Sequence, residues 1–268
     1  MKITEKDFGK FSKDIIDYVS KYIDTSNAEK NYKETKYFLL KKSLYIDENN
    51  NKNFIYPYTG VTKYNYLEGI KIKCLVRDLP NDQESLKNTI FHELMHVASF
   101  NYEKLENENI LMKFGLDWNI IKNDINKLER KYNYINEAMT EFTAKFIYDK
   151  LYDTKYKITK CVVNNKKTIS INSIYQRQYF LIAYLLYNYF EKHQEELFEI
   201  YFNNNLKLFK KVLKENTDFN LKSLNRIMKI FYQNPYNFKI ERGYKNIIRK
   251  LNEKNAMENI DIIRQFYL

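Results

Sequence analysis

The sequence predicts an α+β fold that is mainly α. Three observations lead there. Most of the chain repeats its apolar residues at the three-to-four spacing of a helix. One short stretch, Ile70, Ile72 and Cys74 set between Lys71 and Lys73, alternates as a half-buried strand does. The composition is that of a packed chain: 268 residues, 44% hydrophobic and 29% charged, with five Gly and three Pro. That excludes a disordered, collagen-like or low-complexity protein. Two Cys exclude a disulfide scaffold and a Cys-based zinc cluster. The length suits one domain in two lobes around a cleft, 1–153 and 154–268, with a soft division near 153–173.

The elements follow in order. Phe8, Phe11, Ile15, Val19 and Tyr22 mark a helix over 7–24. A second helix is expected over about 29–43, then a polar turn at 47–53. The alternating strand occupies about 70–77, and Pro80-Asn81-Asp82 breaks the chain and caps the next helix, 82–100. A long connection is expected over 101–118, with helices over 119–131 and 134–152. Residues 155–172 read as a hairpin turning at Asn164-Asn165. From Ile174 onward the pattern is helical, with breaks near 203–205, 217–220 and 234–235.

No window is long and apolar enough to span a bilayer, and the N-terminus lacks the apolar core of a secretion signal. With two lone Cys, the expected location is cytoplasmic, export by an unconventional route remaining open. The formal charge is +11. The Lys residues are spread along the chain among many Asn, Ile and Tyr, which argues for a solvated basic surface and against nucleic acid as the partner. If that surface lined the cleft it would favour acidic substrates. Oligomeric state is left open.

The informative segment is Phe91-His92-Glu93-Leu94-Met95-His96. Two His four residues apart stand one above the other on a helix, so both rings can reach one Zn²⁺. Glu93 between them can take a proton from a water activated by the metal and pass one to a leaving amine. The chain has three His in all, so chance expects this pattern about 0.003 times. Leu86, Ile90, Leu94 and Val97 form the apolar stripe of that helix, which turns the His pair toward a cleft. A catalytic zinc needs a third protein ligand and an open position. Glu137 is the candidate, on the helix whose stripe is Ile135, Met139, Phe142 and Phe146. Glu141, one turn on, is placed to accept the free ring N–H of a ligating His. The competing reading makes both Glu solvated surface acids.

His92-Glu93-x-x-His96 followed by Asn136-Glu137-Ala138-Met139-Thr140-Glu141 resembles the gluzincin, thermolysin-like metallopeptidases. The stretch is closer still to small proteins of low-GC Gram-positive bacteria and their phages that share Phe-His-Glu-Leu-x-His-x-Ala-Ser and Asn-Glu-(Gly/Ala)-x-Thr-Glu. The resemblance implies a zincin-like fold with a small sheet, an active-site helix and an α-helical C-terminal lobe. It implies His92, His96 and Glu137 as ligands of one Zn²⁺ per chain, Glu93 as catalytic base, and Glu141 and Asn136 as supports. It departs in its 41-residue step from His96 to Glu137 and in ending on Glu rather than Asp.

The expected activity is peptide hydrolysis on a protein or peptide substrate. Two alternatives stand beside it: a binding protein on a zincin scaffold, and a basic nucleic-acid-binding protein with a coincidental motif. An oxyanion donor besides the metal is not singled out; Tyr132, Tyr134 and His193 are the candidates. His193 lies in a charged stretch, Glu191 to Glu196, and reads as a surface residue before it reads as a ligand. The strand at 70–77 is either an edge that pairs with substrate or an ordinary interior strand.

Overall fold

A computed structural model describes residues 3–40, 60–65, 71–78, 83–105, 109–121, 128–152, 176–217 and 219–233. Helix α1 (Glu5–Val19) buries Phe8, Phe11, Ile15 and Val19 on one side, as its spacing dictates. Helix α2 (Ser26–Glu34) stops earlier than its sequence suggests. Thr35 turns extended, its hydroxyl bonded back to the Asn31 carbonyl at 2.6 Å. Residues 36–40, expected to continue the helix, instead form β1 (Lys36–Leu40), and 41–43 lie outside the described residues. Strand β1 pairs parallel with β3 (Lys71–Arg77), and β2 (Gly60–Asn65) pairs antiparallel with β3 from the other side. The order β1-β3-β2 makes β3 the central strand. That settles the open choice at 70–77 in favour of an interior strand, because both of its ladders are occupied.

Helix α3 (Gln83–Ala98) lies against this sheet. Neighbouring side chains hold its C-terminal half through the carbonyls. The Tyr32 hydroxyl donates to Leu94 O at 3.1 Å, and the Asn31 amide donates to Val97 O at 3.1 Å and Phe100 O at 2.7 Å. Free carbonyls at a helix end need such partners when buried.

The segment expected as a loop and a helix is an antiparallel sheet. Strands β4 (Phe100–Lys104), β5 (Ile110–Phe114), β6 (Asp117–Ile121) and β7 (Leu128–Lys131) pair in chain order. The connection expected over 101–118 and the helix expected over 119–131 are therefore both corrected. Ile120, Ile121 and Leu128 satisfy a helical spacing as well as an extended one, and cross-strand pairing decides: Ile121 faces Leu128 and Trp118 faces Lys131. Strands β5 and β6 are joined by Gly115 and Leu116 alone. Gly115 has φ +55°, the first-position geometry of a two-residue hairpin turn.

Helix α4 (Asn133–Leu151) follows as expected. The C-terminal region is helical: α5 (Gln176–Lys192), α6 (Gln194–Phe202), α7 (Leu206–Asn216) and α8 (Leu221–Gln233). The breaks at 203–205 and 217–220 are where the spacing put them. A further break at His193 was not foreseen, since the apolar rhythm runs through it. The expectations for 47–53, 80–82, 155–172 and 234–235 lie outside the described residues.

One hydrophobic cluster runs from α1 through α3 and α4 into α5–α8. Phe91 of α3 meets Tyr148 of α4 edge-on at 4.9 Å, and Phe142 of α4 meets Phe190 of α5 at 6.0 Å. Helices α3 and α4 are consequently buried on more than the single stripe expected of each. The His side of α3 is not an open wall: His92 is 7% exposed.

Polar ties join the C-terminal helices to the core. The Asn204 amide donates to Ser99 O at 2.9 Å and Gly115 O at 3.0 Å. The Leu116 amide donates to Asn136 Oδ1 at 2.8 Å. A Cβ on Gly115 would stand 2.5 Å from Asn136 Oδ1 and 2.6 Å from the Tyr201 ring. Gly115→Ala therefore meets both a disfavoured φ and a clash. It is expected to lower stability by about 2–3 kcal/mol, read by chemical denaturation.

Candidate metal centre

The sequence-derived ligands converge where α3 and α4 pack together. His92 and His96 stand one turn apart on α3, and Glu137 reaches them from the second turn of α4. The two ring Nε2 atoms are 3.2 Å apart. Glu137 Oε2 is 3.4 Å from each of them. These three side chains form a group able to hold a metal ion. An ion with tetrahedral bonds of 2.0–2.1 Å sets its ligand atoms about 3.3–3.4 Å apart. The observed triangle has that size, so the donor set fits zinc in both chemistry and spacing. The Glu137 side chain is 20% exposed and that of His96 13%, against 9% for His92, so the group meets solvent on the Glu137–His96 side.

Glu141 supports the site from beneath. Its Oε2 accepts the His92 Nδ1 proton at 2.7 Å, which leaves Nε2 facing the other donors. Its other oxygen is paired with the Lys145 ammonium, one turn further along α4. Lys145 is 3% exposed and lies 4.5 Å above the Tyr179 ring. Sequence reasoning missed Lys145, although a Lys four residues after a buried Glu is legible as an i,i+4 pair.

Glu93, on the adjacent edge of α3, lies between that group and the sheet, interacting electrostatically with His92, His96 and Glu137 and held by β2. The Thr62 hydroxyl of β2 donates to Glu93 Oε2 at 2.7 Å. Gly60 lies so close that a Cβ there would sit 2.6 Å from Glu93 Oε1 and 2.7 Å from its Cγ. No local signal marks Gly60 or Thr62, because they reach Glu93 only through strand pairing.

The remaining candidates occupy separate places. Asn136 spends its side-chain oxygen on the Leu116 amide and so fixes the β5–β6 turn to α4. Tyr132 precedes α4 in left-handed geometry, φ +67°, and Tyr134 lies in the first turn; both are half-buried against the core. His193 is exposed at the start of α6 and stacks on Tyr189 at 4.4 Å.

Burial and charge shape the titrations. Burial opposes a charge on His92, but its bonds to Glu137 and Glu141 prevail and push its pKa up to about 10. Burial would raise Glu137, yet the His96 and His92 rings hold it well below the usual carboxylate range. Glu141 is likewise raised by burial but lowered more by Lys145 and His92, to about 2. Glu93 is raised: burial outweighs the two His and the Thr62 bond.

No family model, curated protein or solved structure matches the chain. The gluzincin resemblance therefore rests on the motif residues of the sequence alone.

Two outcomes follow from this arrangement. Glu141→Ala strands the buried Lys145 charge and is expected to cost about 3–5 kcal/mol, which Glu141→Ala with Lys145→Met largely restores; thermal unfolding of the three proteins reads this. With its pKa pushed up, His92 is expected to carry a proton at neutral pH in the metal-free chain, whereas a metal takes only the neutral ring. Metal binding should then release about one proton per chain, and affinity should rise about tenfold per pH unit from pH 7 toward pH 9. Titration calorimetry in buffers of different ionisation enthalpy measures the proton count.

Proposed function

We propose that this protein is a zinc-dependent peptidase. The observation that carries the reading is the triangle of His92 Nε2, His96 Nε2 and Glu137 Oε2, with edges of 3.2, 3.4 and 3.4 Å. We read the sheet β1-β3-β2, the motif helix laid on it and α4 against that helix as a zincin-like core. Support for this comes from a strand leading into the motif helix and from the third donor arriving on a second helix.

His92, His96 and Glu137 would hold the ion. When bound, zinc supplies a Lewis acid for the scissile carbonyl and brings the pKa of water toward about 7. Glu141, kept ionised by Lys145, fixes the His92 ring with Nδ1 as donor. Glu93 takes the proton of the attacking water and returns it to the leaving amine. Burial raises its pKa, which helps the carboxyl hold the proton between the two transfers. The Thr62 hydroxyl and the bare Gly60 backbone keep the Glu93 carboxylate in one place. Among the described residues β2 forms an edge of its sheet, and an extended peptide paired along it would run beside Glu93. In this reading no described helix is long and apolar enough to cross a membrane, and the substrate is a protein or peptide.

Metal analysis of the purified chain tests the first part. One zinc per chain is expected, lost in His92→Ala and Glu137→Ala. A proteomic screen for new N-termini tests the second. Glu93→Gln should keep zinc and lose cleavage. Gly60→Ala should do the same, because its Cβ pushes Glu93 aside without touching a ligand. A chain that binds no zinc, or a Glu93→Gln variant as active as the wild type, would defeat the proposal.

A further inference from the structure

Charge is segregated in the C-terminal helices. Helix α6 carries Glu195, Glu196 and Glu199 and no cation. Helices α7 and α8 carry seven cations, Lys207, Lys210, Lys211, Lys214, Lys222, Arg226 and Lys229, all exposed, against one acid, Glu215 on α7. A coding bias that spreads Lys evenly does not produce this division.

Helix α8 is the part that bears on the site. It buries Leu221, Leu224 and Met228 against the core. At 100° per residue, Lys222, Arg226 and Lys229 fall within an arc of about 60°. Asn225 lies between that arc and the buried face. Its Oδ1 accepts the Ile135 amide at 3.1 Å, in the first turn of α4. The basic edge of α8 therefore flanks the N-terminus of the helix that presents Glu137 two residues later. Neither α4 nor α8 has an acidic residue in its first turn, and the α4 amides there add to the positive field. Among the described residues the three cations make no ion pair.

We propose that Lys222, Arg226 and Lys229 form a subsite for an acidic stretch of polypeptide lying beside the bond presented to the His92–His96–Glu137 group. The role as a substrate site rests on the peptidase reading; the binding surface does not. The cations span eight residues of helix, about 10 Å from first to last, the length of three extended residues. A single-stranded nucleic acid would call for exposed aromatic rings to stack its bases. Among the described residues the exposed large apolar side chain is Tyr102, on β4.

The test is binding of a fluorescein-labelled Glu-Ser repeat peptide to the zinc-loaded Glu93→Gln chain, in which cleavage cannot consume the probe. Fluorescence anisotropy should show binding that weakens with salt. A Lys-Ser peptide of equal length should not bind. Lys222→Gln with Arg226→Gln and Lys229→Gln should weaken the acidic peptide roughly tenfold. Lys6→Gln with Lys10→Gln and Lys13→Gln on α1 should change nothing. The triple α8 variant must keep the wild-type circular dichroism; if folded and still binding as before, it overturns the proposal. So does an absence of binding to the parent chain. Duplex DNA binding more tightly than the acidic peptide, with the same loss in the α8 variant, overturns it in favour of a nucleic-acid surface. Peptide capture by a chain that holds no zinc or cleaves nothing would uphold the surface and defeat the peptidase reading separately.

Discussion

The Glu141 carboxylate is shared between His92 on one helix and Lys145 on its own, and much of the molecule is arranged around that sharing. A carboxylate and an ammonium taken out of water are costly unless each finds a counter-charge and hydrogen bonds. Here each carboxylate oxygen has one partner, and the Lys145 head has the Tyr179 face besides. The arrangement holds only if α3 and α4 keep their relative register. Phe91 on Tyr148 and the C-terminal helices behind α4 supply that register by packing. Apolar burial thus does the aligning, and the buried charges specify which alignment is acceptable.

The edge of α3 that meets the sheet obeys a different constraint. Glu93 is nearly buried against a strand that carries no side chain at position 60 and a hydroxyl at position 62. The strand backbone can approach because Gly60 lacks a Cβ. Motif residues on adjacent helical positions therefore face unlike surroundings: His92 a charged network with solvent at its margin, Glu93 a closely fitted sheet. That difference holds the Glu137 and Glu141 carboxyls low and the Glu93 carboxyl high within one cluster of side chains.

Much of the candidate site was legible in the sequence, because its spacing is local. His92 and His96 are one turn apart, and Glu137 and Glu141 likewise, so each pair needs only a helix to be aligned. That the two pairs meet was an assumption of packing, and the apolar stripes of the two helices were sufficient to suggest it. Thr62, Gly60 and Lys145 were not read. The first two depend on which strand pairs beside β3, a contact made across more than thirty residues of chain. The helices of the C-terminal region were visible for the same reason as the motif. The sheet β4–β7 was not, since Ile120, Ile121 and Leu128 suit either period and their partners lie on neighbouring strands. At Thr35 local preference gave way to tertiary pairing, and the expected helix became β1.

Asn225 and Asn204 have a consequence for how the molecule comes into being. Both belong to the last quarter of the described chain, yet one receives an amide from the first turn of α4 and the other ties Ser99 to Gly115. A ribosome delivers the motif helix and Glu137 long before it delivers these two side chains. Until they emerge, the helix bearing the third donor lacks its terminal partner and the turn beneath it lacks its clasp. A nascent chain that stops short of residue 225 thus lacks one or both of these ties, and the centre gains its full support only after that residue has emerged.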